Sequence, residues 1–352
     1  MSAGDSGTVL AVDVGAGTQD ILVYDPSRTP ENCFRLVMPS QTQVVAIRIG
    51  QLTLRGLPLH LAGTVMGGGA STDAVRAHLK AGLPVTATPD AARTIHNNPD
   101  RVRALGIEIV ESAPAGSETI NLADIDLQAI VSALSAFQVE LPTGIAVAVQ
   151  DHGVQTGRGN NDVRGEYLHW LVNDAESLDE AAFVEPPPAM TRMRAVLDTV
   201  PGAVVMDTGA AAVLGALRDG KVSEAAERGA VVVNIGNMHT FGVLVRGRRA
   251  YGLFEHHSGG VDASLLQMLV SALQAGDLDN AHFRERFDGH GALVSPEYRE
   301  LAPFDFVAIT GPNRGIARAL GWYEAAPHGD MMLTGSFGLV DGYRAARGAA
   351  DR

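Results

Sequence analysis

The chain has 352 residues, 46% of them hydrophobic, which suits two lobes with substantial cores and excludes wholesale disorder. A formal net charge of −13 makes it a poor electrostatic match to nucleic acid or to an anionic membrane. Cys33 is the sole cysteine, which excludes an internal disulfide, a cysteine-ligated zinc site and a cysteine-held iron–sulfur cluster.

Met1–Thr8 shows no basic start and apolar run, and no apolar stretch is long enough to cross a bilayer, so a cytoplasmic location is expected. In chain order, Thr8–Val12 reads as a strand. A glycine-rich turn and a second strand, Asp20–Tyr24, make it a hairpin. Val44–Ile49 reads as a further strand. Asp73–Ala81, Thr88–Asn97 and Pro99–Leu105 read as helices, and Ile107–Glu111 as a strand. Asp126–Phe137 has the apolar spacing of a helix. Ile145–Val149 is a buried strand that ends at Gln150-Asp151-His152-Gly153, and the polar, glycine-rich residues 153–163 read as a loop. Three prolines, Pro186–Pro188, break the chain before a helix from about Met190. Val204–Met206 is a strand and Thr208–Leu217 an Ala-rich helix. The pattern then restarts: Val231–Gly236 repeats Leu10–Gly15 as an apolar strand, an acid or its amide, a branched residue and glycine, and each leads into a second strand.

The first hairpin carries chemistry suited to phosphate. Gly15 and Gly17 let backbone N–H groups approach an anion closely, the Thr18 hydroxyl adds a donor, and Asp13 can hold Mg²⁺ through its water shell. The same residues also suit a plain glycine-turned hairpin. In the second hairpin the acid is Asn234, which cannot neutralise a cation, and Met238 stands where a second glycine is expected.

Five segments in order resemble the superfamily of actin, the heat-shock chaperone ATPases and the sugar kinases: Asp13–Asp20, Asp207–Ala212, Asn234–Thr240, Phe306–Arg314 and Leu333–Gly338. Gly259-Gly260-Val261-Asp262 also resembles the helix-opening turn of the chaperones. The resemblance implies an α/β, two-lobed actin-like ATPase fold made of duplicated ribonuclease-H-like domains. It implies a first lobe over residues 1–205 with an inserted α/β segment, and a second over 206–352. It further implies ATP and Mg²⁺ in the central cleft. Asp13 would hold the metal shell, and Gly15, Gly17 and Thr18 would face Gly236, Asn237 and Thr240 across the phosphates, with Gly311 beside the adenosine. Met66–Gly69, Ala148–Gly153 and Phe254–His257 resemble an uncharacterised family whose members are often labelled pyruvate formate-lyase activating proteins. That label implies an iron–sulfur cluster on three cysteines, which this chain lacks.

Other polar residues have two readings each. Asp151 is a general base with His152 alongside, or it caps a turn. Asp207 is a helix N-cap, a water-orienting carboxylate, or both. His256 and His257 are neighbours on a strand and point to opposite faces, so they do not share a metal; His60, His78 and His96 read as structural. Gly67–Gly69 is a loop or part of a substrate site, and Arg246, Arg248 and Arg249 form a solvated hairpin tip. Arg192 and Arg194 read as ordinary residues, with an anionic substrate as the less favoured role. Three function classes follow: a phosphotransferase or ATP-hydrolysing enzyme, an ATP-dependent switch acting on a protein partner, and a degenerate, non-catalytic binding member of the fold.

Overall fold

The computed structural model describes residues 7–154, 160–280, 283, 285, 289–301 and 304–350. β1 (Val9–Val14) is a run of apolar residues buried on both faces, the sequence signature of a strand with neighbours on each side. It pairs antiparallel with β2 (Thr18–Tyr24), which pairs in turn with β3 (Phe34–Pro39). A separate segment follows, built on β4 (Leu59–Gly63), β5 (Val85–Ala87), β6 (Ile107–Ile109) and β7 (Glu118–Leu122). These form an all-parallel sheet of order β6-β5-β4-β7 with its own core around Ile49, Leu61, Val85 and Ile107. The chain then returns to the first sheet with β8 (Gly144–Val149), β9 (Ala182–Phe183) and β10 (Val204–Asp207), in the order β3-β2-β1-β8-β10-β9.

The second sheet repeats this plan. β11 (Ala230–Ile235), β12 (His239–Arg246) and β13 (Arg249–His257) form an antiparallel meander. β14 (Gly289–Val294) extends it, while β15 (Phe306–Thr310) and β16 (Tyr323–Glu324) lie parallel on the other side of β11, giving the order β14-β13-β12-β11-β15-β16. In both sheets a hairpin-led meander is continued through its first strand by parallel strands. This duplicated ribonuclease-H-like topology makes the chain a two-lobed α/β protein of the actin-like ATPase fold.

Two helices close the molecule against each other. Helix Thr208–Ala216 leaves β10, and helix Thr334–Ala350 packs on it and on β1 and β8 of the first sheet. Their crossing needs glycine on both sides. A Cβ on Gly215 would lie 1.7 Å from the Thr334 carbonyl oxygen, and one on Gly338 would lie 1.9 Å from that of Ala211.

Several sequence expectations are corrected. Val44–Ile49 is not a strand but the middle of helix Gln41–Arg55. Its buried Val45, Ile49 and Leu52 recur at helical spacing, and that face covers the inserted sheet. Of the expected loop 153–163, residues 155–159 lie outside the described residues, and a helix, Asn160–Asn173, already runs from Asn160. Arg246, Gly247, Arg248 and Arg249 do form the β12–β13 tip, yet Arg248 is not merely solvated. It forms a fork onto Asp179, with Nε 2.6 Å from Oδ2, and also reaches Asp341 at 3.3 Å. Asp262 caps helix Ala263–Ala275 as expected.

Candidate functional site

The two hairpins turn in the same way. Gly15 N–H donates to the Thr18 carbonyl and Gly236 N–H to the His239 carbonyl, each at 2.9 Å. A Cβ would stand 3.0 Å and 2.9 Å from those oxygens, closer than ordinary van der Waals contact, so both turns favour glycine. The tips meet across the cleft, where a Cβ on Gly17 would lie 2.7 Å from Asn237 Nδ2. Two cavities share Gly15, Gly236 and Asn237 in their walls, one of 380 Å³ and a narrower one of 80 Å³.

Asp13, Gly15, Thr18, Gly236, Asn237 and Gly311 all line the narrow cavity, together with Asp20 and Asn234. Asp13 and Asp20 are directly opposite in the β1–β2 register, so their carboxylates share one face. Asp13 Oδ1 accepts from Thr208 Oγ1 at 2.7 Å, while Asp20 Oδ1 is buried with no hydrogen-bond partner. Burial pushes Asp13 up to about 6, opposed by the Thr208 hydroxyl and assisted by the charge of Asp207. Burial and then the charge of Asp13 push Asp20 up to about 7. Gly335, in the first turn of the closing helix, crowds Asp13: a Cβ there would lie 1.8 Å from Oδ2. A buried carboxylate with an orphaned oxygen beside a half-buried one in one pocket fits a hard divalent cation such as Mg²⁺, which takes oxygen ligands. Gly311 has φ +95°, and a Cβ there would lie 2.5 Å from Asn234 Oδ1, so only glycine fits this wall.

The larger cavity is lined by Gly67–Gly69 from the inserted segment, by Asp124, Asp151, His152 and Arg192, and by His239 and His257 from the second lobe. Arg192 is a fork on Asp124, at 2.6 and 2.7 Å, so its charge is already neutralised. Asp151 is 3% exposed and held by three backbone N–H groups. Oδ1 accepts from Gly153 at 2.8 Å, and Oδ2 accepts from Arg192 and Met193 at 2.8 and 2.9 Å. Burial pushes its carboxyl up and these hydrogen bonds pull it down. The carboxylate thus ties the β8 loop to the start of helix Thr191–Thr199, the turn-capping reading of the sequence.

Asp207 and Thr240 line neither cavity. Asp207 Oδ1 caps helix Thr208–Ala216 through Gly209 N–H at 3.0 Å, and Oδ2 receives Arg164 Nη1 at 2.6 Å. The N-cap expectation therefore holds, and the water-orienting one is corrected because the carboxylate is fully buried and committed to these partners. Thr240 as a nucleotide contact is corrected too. Strand alternation turns it away from the cleft to meet Ser258 Oγ at 3.0 Å, and His239 takes the cleft-facing place that Thr18 has in the first hairpin. Sequence reading missed Asp20, although the hairpin register pairs it with Asp13. It also missed Arg164, whose helix starts inside an expected loop, and His239 and His290, which no spacing links to His152.

Among the described residues no helix is long and apolar enough to cross a membrane. No curated protein matches the chain. Solved structures match over nearly its whole length but distantly. The ethanolamine utilization protein EutJ from Carboxydothermus hydrogenoformans is 12% identical, with 94% of this chain and 88% of that chain covered and a TM-score of 0.35. PilM of the PilM–PilN type IV pilus biogenesis complex is 13% identical, with 94% and 97% covered and a TM-score of 0.37. A ROK family glucokinase from Streptomyces griseus, solved with glucose and AMPPNP, is 12% identical, with 97% and 99% covered and a TM-score of 0.31. In sequence, residues 66–316 match one family, a span from the Gly67–Gly69 loop through both halves of the large cavity to the Gly311 turn, and the chain belongs to it: the family described as "Putative pyruvate format-lyase activating enzyme (DUF1786)".

Proposed function

We propose that the protein binds ATP with Mg²⁺ between its two glycine hairpins and passes the terminal phosphoryl group to water or to a small acceptor held in the 380 Å³ cavity. The observation that carries this reading is the Asp13–Asp20 pair, a half-buried and a buried carboxylate facing one pocket at the foot of the first hairpin. When bound, Mg²⁺ supplies the positive charge that a transferring phosphoryl group requires. Asp13 and Asp20 hold its water shell. Gly15, Gly17 and Thr18 offer phosphate contacts from the first lobe, Gly236 and Asn237 from the second, and Gly311 leaves room for the adenosine. Asp151 fixes the loop that brings His152 to the acceptor side. A nucleotide needs a pocket of about 300 Å³ or more. The 80 Å³ cavity therefore opens on binding, by separation of Gly17 from Asn237. A cytosolic location, where ATP is available, belongs to the same reading.

The activity named in the family's description is not part of this proposal, because the chain's one cysteine cannot supply the three thiolates of that chemistry. The observation favouring a second reading, nucleotide binding without turnover, is Asn234 in the place that Asp13 has in the first hairpin. Calorimetric titration with ATP, with and without Mg²⁺, tests the proposal. Metal-dependent binding that Asp13→Ala weakens at least about tenfold is the expected result, since a charge-bearing contact is worth about 1.5–3 kcal/mol. No binding at millimolar ATP sinks it. Binding without phosphate release, whatever acceptors are added, selects the second reading.

A further inference from the structure

Four imidazoles gather where the large cavity meets the second lobe. His152 follows β8 in the first lobe, His239 opens β12 and His257 ends β13, its cross-strand partner in register. His290 comes from β14. There His256 pairs with Gly289 and Glu255 with Gly291, which leaves His290 as the extra residue of a bulge, a device that re-aims a side chain. Ring centroids are 4.4 Å apart for His152–His290, 4.8 Å for His239–His290 and 5.3 Å for His152–His239. Three imidazoles around one tetrahedral metal, with metal–nitrogen bonds of about 2.0–2.1 Å, have centroids ~5.2 Å apart. The observed spacings bracket that value, and one ring nitrogen from each of the three lies within 4.8 Å of the others.

The environment is that of a ligand set. Nε2 of His152 and Nε2 of His239 are buried without hydrogen-bond partners. Beneath them Glu255 is fully buried. Arg164, 2.7 Å away, pairs with it, and its carboxylate acts electrostatically on His152, His239 and His290. Gln150 also donates to Glu255. A fixed anion behind the set of imidazoles compensates an incoming cation, as outer-sphere carboxylates do in histidine metal sites.

We propose that His152, His239 and His290 bind a zinc-class divalent cation, with an open coordination position toward the 380 Å³ cavity. Three nitrogen donors without thiolate suit Zn²⁺ or a neighbouring late transition metal and not Mg²⁺ or Ca²⁺, which take oxygen. Three protein ligands with a vacant fourth position are the arrangement of a catalytic centre, where the metal polarises a substrate oxygen or lowers the pKa of bound water. Because His152 belongs to the first lobe and the others to the second, the ion also fastens the lobes together. The site uses none of the residues assigned to Mg²⁺, so it extends the chemistry of the cleft beyond ATP.

The test uses the full chain, stripped with EDTA and titrated with Zn²⁺ in excess Mg²⁺ and without nucleotide, with Co²⁺ absorption as a second readout. His152→Asn and His290→Gln keep the polar character of each position. Their metal-free melting curves should match the metal-free parent, so that loss of binding is not loss of fold. One equivalent of Zn²⁺ is expected, with tetrahedral Co²⁺ bands. Each substitution should weaken uptake by more than the roughly 10- to 100-fold that loss of an outer-sphere partner costs. No uptake by the parent chain, or uptake that survives either substitution, overturns the proposal. Neither result bears on ATP binding, which is measured separately.

Discussion

Asp20 is the residue that changes how the first hairpin is understood. Asp13 alone is one acid at a strand end; with Asp20 across the register, the pocket holds two carboxylates and no facing cation of the protein's own among its lining residues. This has a consequence for the metal-free protein. Both groups titrate higher in the folded chain, at about 6 and about 7, than the ordinary 3.8. The native state therefore binds more protons than the unfolded state between these values. Their contribution to stability is fully present below pH 3.8 and is lost as pH rises through 6 and 7. Asp20→Asn keeps the shape without the charge. In urea titrations under EDTA, its stability relative to the parent chain should rise from pH 4 to pH 7.5. A difference that stays flat with pH would show that Asp20 is not held protonated by its surroundings.

At the scale of elements, the crossing of helices Thr208–Ala216 and Thr334–Ala350 governs the site from behind. Gly215 and Gly338 let the two backbones touch, and that contact brings Gly335 against Asp13 and Ser336 Oγ to within 2.7 Å of the Asp20 carbonyl. Gly338→Ala places a methyl 1.9 Å from the Ala211 carbonyl oxygen, and neither backbone can swing aside as a side chain would. The expected cost is about 3 kcal/mol, at the upper end for overpacking, read from the midpoint of chemical denaturation. Loss of Mg²⁺-dependent ATP binding should accompany it. Gly348, near the exposed end of the same helix and with open space around its Cα, serves as the control: Gly348→Ala should be neutral or slightly stabilising.

For the whole molecule, Arg164 is the joint. Its helix packs on β13 and β14 of the second sheet, and the guanidinium donates to Asp207 of the first sheet at 2.6 Å and to Glu255 of the second at 2.7 Å, with all three side chains at or below 1% exposure. Removing the cation leaves two buried carboxylates uncompensated. Arg164→Met should therefore destabilise the chain by about 3–5 kcal/mol, the range for breaking a buried pair from one side. The measurement is two-state or stepwise denaturation followed by fluorescence of Trp170, near the joint, and Trp322, in the second lobe. A substitution that leaves the transition unchanged would show that the lobes do not depend on this joint.

The linear order of residues determined the repeated hairpin plan, because an apolar run followed by an acid or amide and a glycine turn is a local pattern, and it appears twice, at Leu10–Gly15 and Val231–Gly236. It also determined the caps at Asp207 and Asp262, which act within their own helix turn. Tertiary structure alone decided the rest. Val44–Ile49 is helical because a buried face with a 3.6-residue period outweighs its β-branched composition. Thr240 left the cleft because register assigns its face, and the register is set by pairing with β11. Arg164 with Glu255, and His152 with His239 and His290, meet only when two lobes close. Burial in that closure makes the arginine and its carboxylates a charge network and gathers the histidines into one cluster, and no local spacing in the chain encodes either contact.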